Sequence, residues 1–274
     1  MSRLHLFELE DQPWFPAILR DGGTAYIELV VRLSGHAKLL VPTIERLLDA
    51  TGERALVDLC SGGGGPMQVV AQELAARGRP VEVQLTDLYP NARCLARVAA
   101  STPGITWTSA PVDATAVPGD LRGARTMFNC FHHFRPAEAR RILEDAARAR
   151  RPIAVFEVVS REPFTLAMLL LTVPLAVTMT MPAWRPFRWE WVLWTWVVPV
   201  MQPFVLWDGV VSWLRIYSED ELRALVATID VPDWDWEIGR TRLGDAPAHA
   251  TYLTGRPRSV SRPDAPLTDG VGAG

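Results

Sequence analysis

The chain of 274 residues is 49% hydrophobic and 22% charged, so it is long enough to bury a large core. Its 28 lysines and arginines stand against 31 acidic residues, giving a formal net charge of −3. No basic field exists to hold a polyanion, which argues against nucleic acid as a partner. Its three cysteines show no paired spacing, so we expect a reduced, cytoplasmic location.

Residues 1–52 precede the first predicted strand and are rich in aromatic side chains. They lack the apolar stretch of a signal peptide and carry Glu8, Glu10 and Asp11, so we expect no secretion signal here. A helix is predicted over residues 43–49.

The most informative segment is residues 57–66. An apolar run indicates a buried parallel strand, and four glycines then lead to Pro66 and a helical pattern. Such a turn lets a ligand approach bare backbone beside the unpaired N–H groups of a helix start. Bulky Met67 or Gln68 stands where a dinucleotide fingerprint needs a third small residue, and no lysine follows, so a phosphate loop does not fit either.

Later segments continue the alternation of strands and helices. Strands are predicted over 81–87, 105–109, 125–131 and 152–159, and helices over 90–100 and 136–150. Asp87 and Asp113 stand at or just beyond two strand ends, and His132 and His133 follow the fourth strand. Ser218, with an acid three residues on, predicts the start of a last helix. Two closing strands are predicted over 234–239 and 248–254.

This order resembles that of the class I S-adenosylmethionine (SAM) dependent methyltransferases. Asp58, Gly62 and Gly64 match their motif I, with Cys60 in place of the family's usual first glycine. The resemblance implies an α/β fold: a Rossmann-like, seven-stranded, mostly parallel sheet with helices on both faces. It also implies that the chain is an enzyme whose cofactor is SAM.

The resemblance implies that SAM lies over the carboxyl ends of the first strands. An acid at Asp87 would accept the ribose hydroxyls, and Asp113 would meet the adenine amino group. The cofactor-binding residues implied are Asp58, Cys60, Gly62, Gly64, Asp87, Leu88, Asp113, Ala114 and Asn129. No metal is predicted.

Each of these residues has a plainer alternative. The glycines could form a tight turn alone, and Asp87 could cap the next helix. His132 and His133 either pack in the core or supply a base, because neutral histidine is a natural base near pH 7. Glu157, inside a predicted buried strand, needs a partner there.

Residues 163–214 form the second informative region. From 163 to 184 no residue is charged, and seven of the eleven tryptophans lie between 184 and 213. Three interpretations stay open: a roof over an acceptor pocket, a membrane-surface contact or hairpin, and a packing or homodimer interface. Four prolines argue against a complete membrane span.

The resemblance implies that residues 1–52 form a helical cap over the SAM site and that the Trp-rich segment is an insertion after strand five. The acceptor would enter between the two. His133, Asp208 and Tyr217 are the candidates for catalytic contact with it. Glu8, Asp11, Trp14 and Tyr26 either face a ligand or pack the cap onto the core.

We therefore predict a SAM-dependent methyltransferase of a small, largely apolar or aromatic molecule. The alternatives are a membrane-surface methyltransferase of a lipid or isoprenoid, and a SAM-binding scaffold without catalysis. The predicted organisation is a cap (1–52), a SAM-binding Rossmann-like core (53–162), a hydrophobic lid (163–214), the last helix and closing strand pair (215–255) and a disordered tail (256–274).

Overall fold

The computed structural model describes residues 3–244 and 248–258. Its strands are β1 (Ala55–Asp58), β2 (Glu82–Leu85), β3 (Ile105–Trp107), β4 (Ala124–Phe128), β5 (Ile153–Glu157), β6 (Trp234–Arg242) and β7 (His249–Pro257). Its helices are α1 (Ala17–Ser34), α2 (His36–Thr51), α3 (Gly65–Ala76), α4 (Ala92–Ser101), α5 (Pro136–Arg148), α6 (Pro163–Thr180), α7 (Glu190–Val192), α8 (Met201–Arg215) and α9 (Glu219–Val226).

The seven strands form one sheet in the order β3-β2-β1-β4-β5-β7-β6. Strands β1 to β5 pair in parallel, whereas β7 runs antiparallel to both of its neighbours. The predicted mostly parallel, seven-stranded sheet is confirmed. The chain moves from β1 to β2 on one side and returns to β4 on the other, and ligands of such sheets bind outside the strand ends at this reversal.

Helices cover both faces of the sheet, as predicted. The apolar sides of α2, α3 and α4 pack on one face. Those of α5 and α9 pack on the other face. A third cluster of buried side chains joins α1 to α6 and α8, which connects the N-terminal helices to the insertion after β5.

Helix α1 was not predicted, because Gly22 and Gly23 lower helix propensity in its middle. Both glycines are needed where α1 meets α8. A Cβ on Gly22 would lie 2.6 Å from Cε of Met201, and one on Gly23 would lie 3.0 Å from the ring of Phe204. The backbone of α1 therefore lies so close to the side chains of α8 that a Cβ at either position would require Met201 or Phe204 to shift.

Several element ends differ from the prediction. Strand β4 stops at Phe128 instead of continuing to residue 131, because Asn129 adopts φ 50° and a 3-10 turn follows at Phe131–His133. Helix α2 begins seven residues earlier than its predicted start and contains Pro42. Strand β7 extends to Pro257, past the predicted boundary at 255, and residues 259–274 of the predicted tail lie outside the described residues.

Candidate active site

The glycine turn between β1 and α3 has one side open and one side packed. Gly62 and Gly64 both adopt the left-handed conformation, with φ of 53° and 74°. A Cβ on Gly62 would meet nothing within 4 Å, whereas one on Gly64 would lie 3.1 Å from Cδ1 of Leu85. The turn thus presents bare backbone to open space at Gly62 and is held against β2 at Gly64.

Asp58 supports this turn from below and does not face the open side. Its carboxylate accepts hydrogen bonds of 2.8 Å from the hydroxyls of Ser61 and Thr126. Burial raises the pKa of Asp58 to about 7, although both hydroxyls act to lower it. Asp58 therefore fixes the turn through its two hydroxyl partners, and its predicted contact with the cofactor stays a prediction.

Asp58 should make the stability of the protein fall as pH rises. The folded-state pKa of about 7 lies above the unfolded value of about 3.9, so the folded protein binds the extra proton between these values. The contribution is fully present at low pH and is lost as pH rises through 7. The side chain of Asp58→Asn cannot titrate. We therefore expect the free energy of unfolding, measured with urea, to fall between pH 5 and 8 by about 2–3 kcal/mol less in this variant than in the wild type. Parallel pH profiles for the two proteins would contradict this.

Asp87 stands beside the open side of the turn. Its Oδ2 accepts the Gly62 N–H at 2.9 Å and its Oδ1 accepts the Tyr89 N–H at 2.9 Å. Each carboxylate oxygen keeps a further lone pair, so two more donors can bind. The Asp87 carbonyl accepts the N–H of Val112, which ties the loop after β3, and with it exposed Asp113, to the same edge.

The remaining predicted cofactor residues differ in their exposure. Leu88 is exposed, while Ala114 is buried in the core cluster beneath the loop. Cys60 is half-buried and has φ 56°. Asn129 accepts the Val158 N–H at 2.7 Å and lines the adjoining cavity.

A cavity of about 270 Å³ lies between α1, α2, α6, α8 and the ends of β4 and β5. Its walls are mainly apolar, from Tyr26, Ile27, Val30, Leu40, Phe128, Leu169, Val173, Phe204 and Val205. Its polar lining includes Glu10, Asn129, His132, His133, Glu157, Asp208 and Ser212. The sequence predicted an entrance between the cap and the insertion, and this is where the cavity lies.

The two histidines are held in different ways by the 3-10 turn that follows β4. Glu157 of β5 accepts the backbone N–H of His132 and pairs with its Nδ1, both at 2.9 Å. Nδ1 of His133 lies 3.3 Å from carboxylate oxygens of both Glu8 and Asp11. Glu157 therefore has the partner that its burial requires.

The pKa of His133 reflects its acidic surroundings. Burial lowers this pKa, but Asp11, Glu8 and Glu10 outweigh burial and raise it to about 9. At neutral pH the His133 imidazole is therefore protonated when nothing else is bound. Such a pKa does not suit a neutral base, which was one of the alternatives at this position.

An N-terminal strap, residues 3–11, carries acids into the site. Its Glu8 is completely buried; Oε1 lies 3.1 Å from Nη1 of Arg215 and accepts the Ser212 hydroxyl at 3.0 Å. The same Arg215 nitrogen lies 2.9 Å from Asp11. The sequence indicated Glu8 and Asp11 as possible ligand contacts. It did not reveal Glu10 or the role of Arg215, because Glu8 and Arg215 lie far apart in the chain and meet only in the fold.

Asp208 fastens the strap and also lines the cavity. Its two carboxylate oxygens accept the N–H groups of Leu9 and Glu10 at 2.7 and 3.0 Å. Burial raises its pKa to about 6, although these two bonds act to lower it. Asp208 is thus a carboxyl group in the cavity lining whose pKa lies close to neutral pH.

Tyr217 does not reach the cavity. Its hydroxyl donates to the Phe134 carbonyl at 2.8 Å, and Arg3 lies 4.1 Å above its ring. Burial raises its pKa to about 12. The structure therefore corrects the predicted catalytic contact: Tyr217 packs the last helix and the strap onto the 3-10 turn.

Comparison with known proteins shows the fold. No protein-family model and no curated protein matches the chain. Among solved structures, the plantazolicin methyltransferase BpumL, in complex with a triazolic desmethylPZN analog and SAH, has a TM-score of 0.55 at 10% identity over 91% of this chain and 97% of that one. The related BamL has a TM-score of 0.53 at 12% identity, covering 88% and 98%. The mitomycin 7-O-methyltransferase MmcR has a TM-score of 0.51 at 16% identity, covering 82% and 53%.

The chain has the fold of the class I SAM-dependent methyltransferases. Its strand order and the position of its glycine turn place the candidate site at the edge where such sheets bind ligands.

Proposed function

We propose that this protein is a SAM-dependent methyltransferase that acts on a small, largely apolar or aromatic molecule. The observation that carries the proposal is the junction of two spaces. The open glycine turn with Asp87 on one side leads directly into Pro66, and Pro66 lines the apolar cavity under the cap, as Asn129 also does. A cofactor site and an acceptor site that share a wall are what transfer between two bound molecules requires.

The residues of the turn fit a nucleoside. Gly62 offers backbone without a side chain above it, and the free lone pairs of Asp87 suit two ribose hydroxyls. Asp113, exposed on the tied loop, would lie beyond the ribose. When bound, SAM supplies an electrophilic methyl group on a sulfonium. The chain itself supplies the position of that group at the cavity wall.

The cavity residues would orient the acceptor and exclude water. Walls of Val, Leu and Phe favour an apolar body, and polar groups gathered at one end favour a single orientation. Asp208, with its pKa near 6, is the proposed acceptor of a proton from an acceptor hydroxyl or amine. His133 and Glu10 supply further polar contacts at the same end.

Binding and turnover should be measured in that order. Calorimetry of the full chain with SAM is expected to show one site, and incubation with a panel of apolar phenols, amines and heterocycles should yield a product heavier by one methyl group. Binding of SAM with no product from the whole panel would favour the scaffold alternative. Absence of SAM binding would overturn the proposal.

We further propose that the acceptor comes from a lipid surface, which would make this a membrane-surface methyltransferase. Within the described residues, Pro163–Ala183 is the one helix long and apolar enough to cross a membrane, with a mean hydropathy of 2.0. Its inner side packs through Val173 and Val177. Its outer side leaves Leu171, Leu175 and Met179 exposed by 73, 64 and 71%. An apolar surface of this kind marks an interaction site, and membrane interfaces are among the candidates.

The cavity is placed to receive a lipid-soluble molecule from such a surface. Ile27 and Val30 line the cavity and are themselves exposed, and Leu169 of α6 lines it from the other side. One wall of the cavity thus belongs to the same helix that carries the exposed apolar side chains. Exposed Trp189 and Trp196 follow α6 in the insertion, and tryptophan favours the boundary between lipid and water.

Vesicle flotation tests this contact. We expect the protein to float with neutral phosphatidylcholine vesicles, and Leu171→Glu/Leu175→Glu to stay in the bottom fraction because two charges would enter lipid. The matched control is Ala224→Glu/Ala227→Glu, which adds the same charge to exposed positions at the end of α9. The wild type could instead stay in the bottom fraction and form a dimer. If Leu171→Glu/Leu175→Glu disrupts that dimer, this side of α6 is a homodimer interface and not a membrane contact.

A further inference from the structure

Three side chains from distant parts of the chain converge beneath the cavity. Glu8 comes from the N-terminal strap, and His132 and His133 come from the 3-10 turn after β4. One potential ligand atom from each lies within 4.8 Å of those of the other two. Oε1 of Glu8 lies 3.9 Å from Nε2 of His132, and Oε2 lies 3.3 Å from Nδ1 of His133.

Two atoms in this cluster are buried without a hydrogen-bond partner among the described residues: Nε2 of His132 and Oε2 of Glu8. His132 is 4% exposed and Glu8 is 0% exposed, so water does not readily serve them. Buried polar atoms are almost always satisfied in folded proteins, and an exception needs an explanation. Nδ1 of His133, at 3.3 Å from Oε2, lies within ion-pair distance but makes no hydrogen bond with it. Both unsatisfied atoms belong to the same cluster, which points to one missing partner for both.

The partner should be a cation, because both unpartnered atoms are acceptors when His132 is neutral and Glu8 is ionised. The opposite atom of each residue is already engaged: Nδ1 of His132 pairs with Glu157, and Oε1 of Glu8 accepts the Ser212 hydroxyl. A hydrogen bond to the first nitrogen of an imidazole fixes the second as a lone-pair donor. A carboxylate–histidine pair of this kind is the usual support of a metal-ligating histidine.

The charge around the cluster also favours a cation. Arg215 supplies one guanidinium, at 3.1 Å from Glu8. The carboxyl groups in or beside the cluster are Glu8, Glu10, Asp11, Glu157 and Asp208. A divalent ion would offset this acidic excess in a buried place where charge is poorly screened.

We propose that Glu8, His132 and His133 bind one divalent transition-metal ion of the zinc type. Two imidazoles and one carboxylate suit such ions, and three protein ligands leave a coordination position open. Both histidines line the cavity, so the proposed ion would lie at its wall. An acceptor oxygen, nitrogen or sulfur could bind there and lose its proton more easily. This use of the metal rests on the proposed methyl transfer, whereas metal binding itself does not.

Metal binding is measured on the full chain after treatment with a chelator and without SAM or acceptor. Calorimetry with Zn²⁺ should show one ion per chain, and Co²⁺ should give the visible absorption bands of a low-coordinate site. Glu8→Gln and His132→Asn should each weaken Zn²⁺ binding by at least about tenfold, and Glu157→Gln by about 10–100-fold. His36→Asn, which changes another histidine of the cavity lining, should leave the affinity unchanged.

Melting curves identify any variant that fails to fold, and Glu157→Gln then provides a second test because it leaves all three ligands in place. No saturable Zn²⁺ binding by the wild type, or equal binding by all variants, would overturn the proposal and leave a closed network of ion pairs with Arg215. Because the titration contains no SAM, its failure leaves the methyltransferase proposal intact. Zn²⁺ binding without methyl transfer would equally leave the metal site intact.

Discussion

Replacing Arg215 with methionine is expected to destabilise the protein by about 3–5 kcal/mol. Arg215 is 3% exposed and lies between two carboxylates, those of Glu8 and Asp11. Its Nε also donates to the Leu6 carbonyl at 2.7 Å. The substitution would leave Glu8 fully buried without its guanidinium partner, with the His133 imidazole as its remaining cationic neighbour. Urea unfolding followed by tryptophan fluorescence, in the presence of a chelator, measures the loss.

The control for this prediction is Arg240→Met. Arg240 pairs with Glu162 at 3.1 Å but is about half exposed, so its loss should cost below about 1 kcal/mol. The double variant Arg215→Met/Glu8→Gln should recover part of the stability, because the buried charge is removed with its partner. If Arg215→Met and Arg240→Met lower the free energy of unfolding equally, the buried ion pairs of Arg215 stabilise the protein no more than an exposed ion pair does.

Replacing Asp87 with alanine is expected to weaken SAM binding by about 1.5–3 kcal/mol, roughly 10- to 150-fold. The proposed contact is a charge-assisted hydrogen bond to the ribose, and Asp87 also holds the Gly62 N–H in the open turn. Both effects act in the same direction. Calorimetry with SAM and with S-adenosylhomocysteine measures the change.

Two further variants separate these effects. Asp87→Asn keeps one acceptor oxygen and should lose less affinity than Asp87→Ala. Asp120→Ala removes an exposed acid elsewhere on the chain and should change nothing. Unchanged SAM affinity in Asp87→Ala, with folding intact, would remove Asp87 from the site.

The sheet and the glycine turn could be predicted from the sequence because their signals are local. Apolar residues mark β1 and β5, four consecutive glycines mark the turn, and the Ser218 capping box marks the start of α9. Such patterns need only neighbours in the chain, and the fold follows from their order.

The polar end of the cavity could not be predicted in the same way. It depends on contacts between the strap and α8, such as Glu8 with Arg215, which no spacing in the chain reveals. Tyr217 illustrates the converse: a plausible polar aromatic near the insertion turned out to donate to Phe134 in the core. Helix α1 was missed because its glycines serve packing against α8, a tertiary reason that outweighs propensity.

The strap gives the protein an unusual order of assembly during synthesis. Leu6 leaves the ribosome well before its partner Arg215, which follows 209 positions later in the chain. Strands β1 to β5 and their flanking helices can begin to fold before α8 has been synthesised, while the strap still lacks its partners on α8. The polar end of the cavity is therefore among the last parts to be completed, and a newly made chain stays without it until the insertion has docked.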